Sequence, residues 1–150
     1  MRIGSSKATA MPDPGRGSAD PIRVLIVDDE PLLRWALAET LTSRGCGIVE
    51  VSDARSAVEM LGSRHFDVVL LDYHLPDADD LTLLATTRRL SPESQVFMMT
   101  AFMTPDEAAH ALELGASCVL PKPIELDAIA ALVVEASHGN HTPPQANRFA

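Results

Sequence analysis

The chain is short of the features that bind polyanions, cross membranes or build disulfide frameworks. Only 12 of its 150 residues are lysine or arginine, against 21 aspartates and glutamates, giving a formal net charge of −9. A clustered basic face of the kind that grips DNA or RNA is thereby disfavoured, and no direct nucleic-acid partner is expected. Cysteine occurs twice, as Cys46 and Cys118, with no metal-ligand spacing and no framework to staple. Both are read as small buried hydrophobes in a reducing compartment. No apolar run reaches the ~18 residues of a membrane span, and the N-terminus lacks the apolar stretch of a secretory signal. A cytoplasmic location without membrane contact is the expectation. At 150 residues and 46% hydrophobic content, the chain has room for one sizeable core and none for a second folded domain.

What is present is a regular alternation. Residues 1–20 mix Ser, Gly, Pro, Ala and Asp without periodicity, and residues 139–150 carry Pro143 and Pro144 among polar neighbours. Both read as disordered tails, leaving a folded domain over 21–138. Within it, Ile22 to Val27 is rich in β-branched residues and stopped by acids, the signature of a first strand. Pro31 suits a helix first turn, and Leu33, Ala36, Leu37, Thr40 and Leu41 then recur at helical spacing until Gly45. The pattern repeats as strand 48–51 and helix 53–63, then strand 68–71 and helix 80–90. It continues as strand 95–99 and a helix opened by Thr104-Pro105-Asp106-Glu107, a capping box with proline at N1, and closed by Gly115. Strand 117–120 and helix 125–136 complete five strand–helix units. Right-handed crossovers turn such units into a parallel sheet covered on both faces, an α/β fold.

Ligands of open α/β sheets bind beyond the carboxyl ends of the strands. Here strand one ends in Asp28-Asp29-Glu30, strand three in Asp72, strand four in Thr100, and strand five in Leu120-Pro121-Lys122-Pro123. Carboxylates drawn together raise one another's pKa values and cost stability unless a cation sits among them. Oxygen-only ligands, few in number, suit Mg²⁺ better than zinc or calcium. Lys122 adds a point charge and Thr100 a hydroxyl donor. An oxygen nucleophile, a divalent ion and fixed donors are what phosphoryl transfer requires, and Asp72 on the central strand is the candidate nucleophile. Taken singly, each residue has a plainer reading: an acid after a strand caps the next helix, and a lone Thr or Lys is solvated surface. Their joint occurrence at successive strand ends is what points to a site. The remaining histidines, His65, His110, His138 and His141, are scattered and suggest no metal site, and Trp35, one turn into the first helix, is expected to pack.

Val27-Asp28-Asp29-Glu30-Pro31, Leu71-Asp72 with Leu75-Pro76-Asp77, Met99-Thr100-Ala101 and Lys122-Pro123 together resemble a response-regulator receiver domain of two-component signalling. The likeness spans about residues 22–137, and its wording is similar to receivers of the nitrogen-regulation type, here as a stand-alone domain. The resemblance implies a flavodoxin-like doubly wound fold with strand order 2-1-3-4-5. It implies Asp72 as phosphoacceptor, Asp29 and Asp72 as direct Mg²⁺ ligands, Asp28 as a ligand through water, and the backbone carbonyl of His74 as a further one. Thr100 would move toward the phosphoryl group after transfer, Lys122 would pair with its oxygen, and the Lys122–Pro123 bond would be cis. The donor would be a sensor histidine kinase or a phosphotransfer protein. The output would be a downstream protein target or a homodimer, through the face of the fourth helix, fifth strand and fifth helix. Enzymatic turnover of external substrates is not expected.

Some positions depart from the family pattern. Val119 stands where an aromatic residue is usual, so it is either a plain strand residue or the mark of a switch that works by backbone and helix shifts. Asp80 replaces a glycine and could cap the third helix, and Cys118 stands neutrally where aspartate is common. Phe102, two residues past Thr100, is a candidate shield for an acyl phosphate, whereas His74 is expected to be an exposed loop imidazole. Two other classes stay open on the residues alone. One is a Mg²⁺-dependent phosphohydrolase, for which no substrate pocket or lid insertion is visible. The other is a receiver-fold scaffold that binds its partners constitutively because Val119 and Asp80 weaken the switch.

Overall fold

The computed structural model describes residues 20–78 and 81–137; nearly all of both expected tails, and Asp79 and Asp80 with the expected cap of the third helix, lie outside the described residues. The chain alternates β1 (Arg23–Val27), α1 (Pro31–Ser43), β2 (Gly47–Val51), α2 (Ala54–Ser63), β3 (Val68–Asp72), α3 (Thr82–Leu90), β4 (Gln95–Thr100), α4 (Pro105–Glu113), β5 (Cys118–Pro121) and α5 (Leu126–Ser137). The five strands form one sheet in the order β2-β1-β3-β4-β5, every pairing parallel. This is the doubly wound flavodoxin-like arrangement.

Alternation along each strand decides which layer a side chain joins. Leu25, Val27, Val69, Leu71, Val96, Met98 and Val119 point to the side covered by α2, α3 and α4, where Ala57, Leu61, Leu84 and Ala111 meet them. Val24, Ile26, Val68, Leu70, Phe97, Met99 and Cys118 point to the other side, against Leu37 and Leu41 of α1 and Ile129, Ala130 and Val133 of α5. The continuous apolar strands thus serve two cores at once, as a sheet buried on both faces requires.

Local signals set the helix ends. Thr104 and Glu107 form the expected capping box, Thr104 Oγ1 accepting from Glu107 N–H at 3.1 Å and Glu107 Oε1 from Thr104 N–H at 2.8 Å. Gly45 and Gly115 end α1 and α4 with φ of 90° and 113°, backbone that only glycine adopts without strain. Trp35 departs from the expectation that it packs: it is 59% exposed, beside Leu32 at 80%. The apolar residues of α1 run round more than one face, and the sheet takes only Leu37, Ala38 and Leu41 fully. Val119 proves to be a core residue, 1% exposed among the residues that pack under α4.

Candidate functional site

The strand order places β1 and β3 side by side at the centre of the sheet, and the register aligns Val27 with Leu71. The residues that follow, Asp28 and Asp72, therefore emerge together at the carboxyl edge. Asp28 is fully buried and Asp72 is 5% exposed, while Asp29 is exposed. Carboxylate oxygens of Asp28, Asp29 and Asp72 all lie within 4.8 Å of one another.

Backbone donors fix two of these groups. Asp28 Oδ1 accepts from Glu30 N–H at 2.8 Å, and Asp72 Oδ1 accepts from His74 N–H at 3.3 Å. Arg34 on α1 donates to the Asp28 carbonyl at 2.8 Å, tying the helix to the strand end, and also pairs with Glu50 at 3.5 Å. His74 thus lies with its backbone against Asp72. Its side chain is exposed and stands edge-on to Tyr73, with ring centroids 4.5 Å apart.

Lys122 comes from the opposite side. Its N–H donates to the Thr100 carbonyl at 2.8 Å, which docks the loop after β5 onto the end of β4, and the Lys122–Pro123 bond is cis as expected. The ammonium is only 14% exposed and meets three carboxylates: Glu30 at 2.9 Å, Asp28 Oδ2 at 3.0 Å and Asp72 Oδ1 at 3.5 Å. Thr100 is buried at the end of β4; its hydroxyl donates to the Phe102 carbonyl at 2.7 Å and accepts from Phe102 N–H at 3.0 Å. Phe102 itself is 70% exposed on the loop beyond.

The electrostatics follow from burial and neighbours. Burial pushes the Asp72 carboxyl up to about 6, the charge of Asp28 adds to this, and Lys122 with the His74 N–H opposes it. For Lys122, burial works against the ammonium, but hydrogen bonds to Glu30 and Asp28 and the charges of Asp72 and Asp28 outweigh it and raise its pKa. Among the described residues, the Lys122 ammonium meets three carboxylates, and Asp29 adds a further acidic group beside two of them. Asp28 Oδ2 is fully buried and makes no hydrogen bond beyond its ion pair with Lys122. A buried anionic oxygen of this kind, close to two further carboxylates, fits a small hard divalent cation with oxygen preference, and Mg²⁺ meets that description.

All four expected acidic and basic side chains, Asp28, Asp29, Asp72 and Lys122, are brought together, with Thr100 and His74 adjoining through backbone contacts. Two contributors have partners that the sequence does not announce. Glu30, part of the acidic run after strand one and otherwise read as a cap of α1, makes no side-chain capping bond and instead holds Lys122, 92 residues away. Asp77 accepts from the N–H groups of Ala54 at 2.8 Å and Arg55 at 3.1 Å, capping α2 from the loop after β3 alongside the helix's own cap, Asp53. Its place in Leu75-Pro76-Asp77 marked it, but no spacing announced that partner.

Residues 24–134 match the family model described as the response regulator receiver domain. Among curated proteins, the chain is 35% identical over 113 residues to the DNA-binding transcriptional regulator NtrC of Proteus hauseri, an alignment covering 75% of this chain and 24% of that protein. It is also 35% identical over 124 residues to the sensor histidine kinase RcsC of Escherichia coli, covering 81% of this chain and 13% of that one. The chain therefore spans about a quarter or less of the length of these relatives. Among solved structures, the signal receiver domain of NarL from Mycobacterium tuberculosis superposes with a TM-score of 0.73 at 29% identity, covering 81% of this chain and 99% of that one.

Proposed function

The chain belongs to the response regulator receiver domain family, and from that membership we propose that it accepts one phosphoryl group on Asp72 and signals through phosphorylation-dependent protein binding. The observation that carries the reading is the setting of Asp72: a nearly buried carboxylate at the end of the central strand, within 3.5 Å of a lysine ammonium and beside two further carboxylates.

Receiver domains interact with histidine kinases or phosphotransfer proteins, and one of these is proposed here as the phosphoryl donor. An Asp72 carboxylate oxygen forms the new O–P bond as the donor's N–P bond breaks, the electron pair staying on the imidazole nitrogen. Asp28 acting through water, Asp29, Asp72 and the His74 carbonyl would hold Mg²⁺, which when bound neutralises charge on the phosphoryl oxygens. Lys122 offers a second positive charge from the other side of Asp72. Its raised pKa keeps it protonated throughout the neutral range. Thr100 exchanges its bond to the Phe102 carbonyl for one to the phosphoryl group, releasing the loop that leads into α4. With Val119 fixed in the core, the change reaches the α4-β5-α5 face through that loop and not through a turning aromatic ring. Downstream, that face engages a target protein or a second copy of the chain, in the cytoplasm. Phe102, exposed beside Thr100, shields the acyl phosphate from water. No external substrate is turned over.

The test is intact mass after incubation with acetyl phosphate, with and without Mg²⁺, on the wild type and Asp72→Asn. The expected result is a labile adduct of one phosphoryl group that needs both Mg²⁺ and Asp72. No adduct, repeated with a histidine-kinase donor, would overturn the reading and leave a constitutive scaffold as the better account.

A further inference from the structure

Lys122 has three N–H donors and three carboxylate partners, and they are not equally close. Asp28 and Asp72 belong to the acidic cluster, and Asp72 is the proposed phosphoacceptor. Glu30 belongs to neither role, yet at 2.9 Å it lies as close as Asp28 at 3.0 Å and closer than Asp72 at 3.5 Å. Its side chain is 59% exposed, so it holds the ammonium from the solvent rim while Asp72 holds it from inside. We propose that Glu30 is a positioning residue that draws the Lys122 ammonium away from Asp72 and so restrains phosphoryl acceptance. The consequence for phosphorylation rests on the function proposed above; the restraint on Lys122 does not.

The physical basis is competition for the position of one ammonium. A phosphoryl oxygen arriving on Asp72 needs an N–H from Lys122 at hydrogen-bond distance, and the pull of Glu30 holds the ammonium 3.5 Å from Asp72 while it lies 2.9 Å from Glu30. Of the three partners, Glu30 alone can be altered without touching the acidic cluster. Its side chain does not cap α1, and its N–H to Asp28 and its carbonyl to Arg34 N–H are backbone contacts that a substitution leaves in place. Folded variants are therefore expected.

Two measurements test the two halves separately. The chain has two lysines, Lys7 and Lys122, so lysine labelled at ¹⁵Nζ gives two ammonium signals, assigned by a Lys7→Arg variant. In the unphosphorylated full chain, Glu30→Ala should speed exchange of the Lys122 ammonium protons with water and shift that signal. Glu30→Gln, which keeps an acceptor without the charge, should fall between the two. An unchanged Lys122 signal in Glu30→Ala overturns the restraint, whatever the protein does with phosphate.

For the kinetic half, phosphorylation by acetyl phosphate at saturating Mg²⁺ should rise about two- to fivefold in Glu30→Ala. The same factor should appear with phosphoramidate, a donor of different charge, and should disappear in a Lys122→Met background. A gain that persists without Lys122, or that follows donor charge, would mean that Glu30 acts as a general repulsive charge and would overturn the positioning role. A fall in rate would mean that Glu30 presents Lys122 to the phosphoryl group and would overturn the direction proposed.

Discussion

Asp72 carries a cost that its neighbours only partly offset. Its pKa of about 6 lies above the usual carboxylate value of 3.8 because burial, then Asp28, disfavour its charge. A folded-state pKa raised above the unfolded one means that the folded protein binds more protons between about pH 4 and pH 6. Stability of the metal-free protein therefore falls as pH rises through that window, and the whole penalty is present at neutral pH. Asp72→Asn removes the charge while keeping the shape. It should stabilise the metal-free protein at pH 7.5 by about 1–2 kcal/mol, and the gain should shrink toward zero near pH 4. Urea unfolding in the presence of a chelator, at both pH values, measures this. A less stable Asp72→Asn at pH 7.5 would show that Lys122 already compensates the buried charge. The same residue scale limits what could be read in advance. Asp28, Asp29, Asp72, Thr100 and Lys122 stand at strand ends, where the fold rule directs attention. Glu30 was legible as an acid but not as the partner of Lys122, because a contact across 92 residues leaves no periodicity.

The elements show why some segments were readable and others were not. Strands of continuous β-branched and apolar residues, and helices with explicit stop signals, were legible to within a residue or two: α4 begins at Pro105 after its capping box and ends before Gly115. The sequence puts the start of α3 at about Asp80, which lies outside the described residues, and the described helix runs from Thr82 to Leu90. The exposure of Trp35 on α1 is not legible in the sequence, since an apolar residue in a helix reads the same whether protein or solvent lies opposite. Glycines in two of these elements give opposite predictions. Gly62 lies in α2 with open space where a Cβ would go, so Gly62→Ala should stabilise by about 0.5–1 kcal/mol. Gly115 has φ of 113°, and a Cβ there would come within 2.9 Å of Arg88 Nε. Arg88 also donates to the carbonyls of Ser94 and Pro92, holding the turn between α3 and β4. Gly115→Ala combines backbone strain with displacement of that arginine and should cost about 1–3 kcal/mol. Thermal unfolding of the two variants side by side decides it; equal effects would mean that the two glycines differ in no way that matters to stability.

At the scale of the whole molecule, the net charge of −9 complicates any test of Mg²⁺ binding, because any divalent cation screens a surplus of negative charge. A site-specific effect has three separate signatures. Mg²⁺ that binds the folded state stabilises it by RT ln(1 + [Mg²⁺]/Kd), about 1.4 kcal/mol at ten times Kd, which raises the melting temperature of a domain of this size by a few degrees. General screening would be reproduced by NaCl at matched ionic strength; the site effect would not. The second signature is pH. With the Asp72 pKa at about 6, the cation must displace a proton at pH 5 but not at pH 7.5, so the Mg²⁺-dependent rise in melting temperature should shrink markedly at the lower pH. The third is sequence. Asp29→Asn leaves the fold's cores untouched, since Asp29 is exposed and contributes to neither, and it removes one unit of charge from the whole molecule. If Mg²⁺ acts at the acidic edge, this variant loses most of the rise, whereas an equivalent neutralisation at Glu59 on the outer side of α2, paired only loosely with Arg55 at 4.0 Å, loses almost none of it. Equal losses in both variants would place the effect in the overall charge and take the metal away from the strand ends.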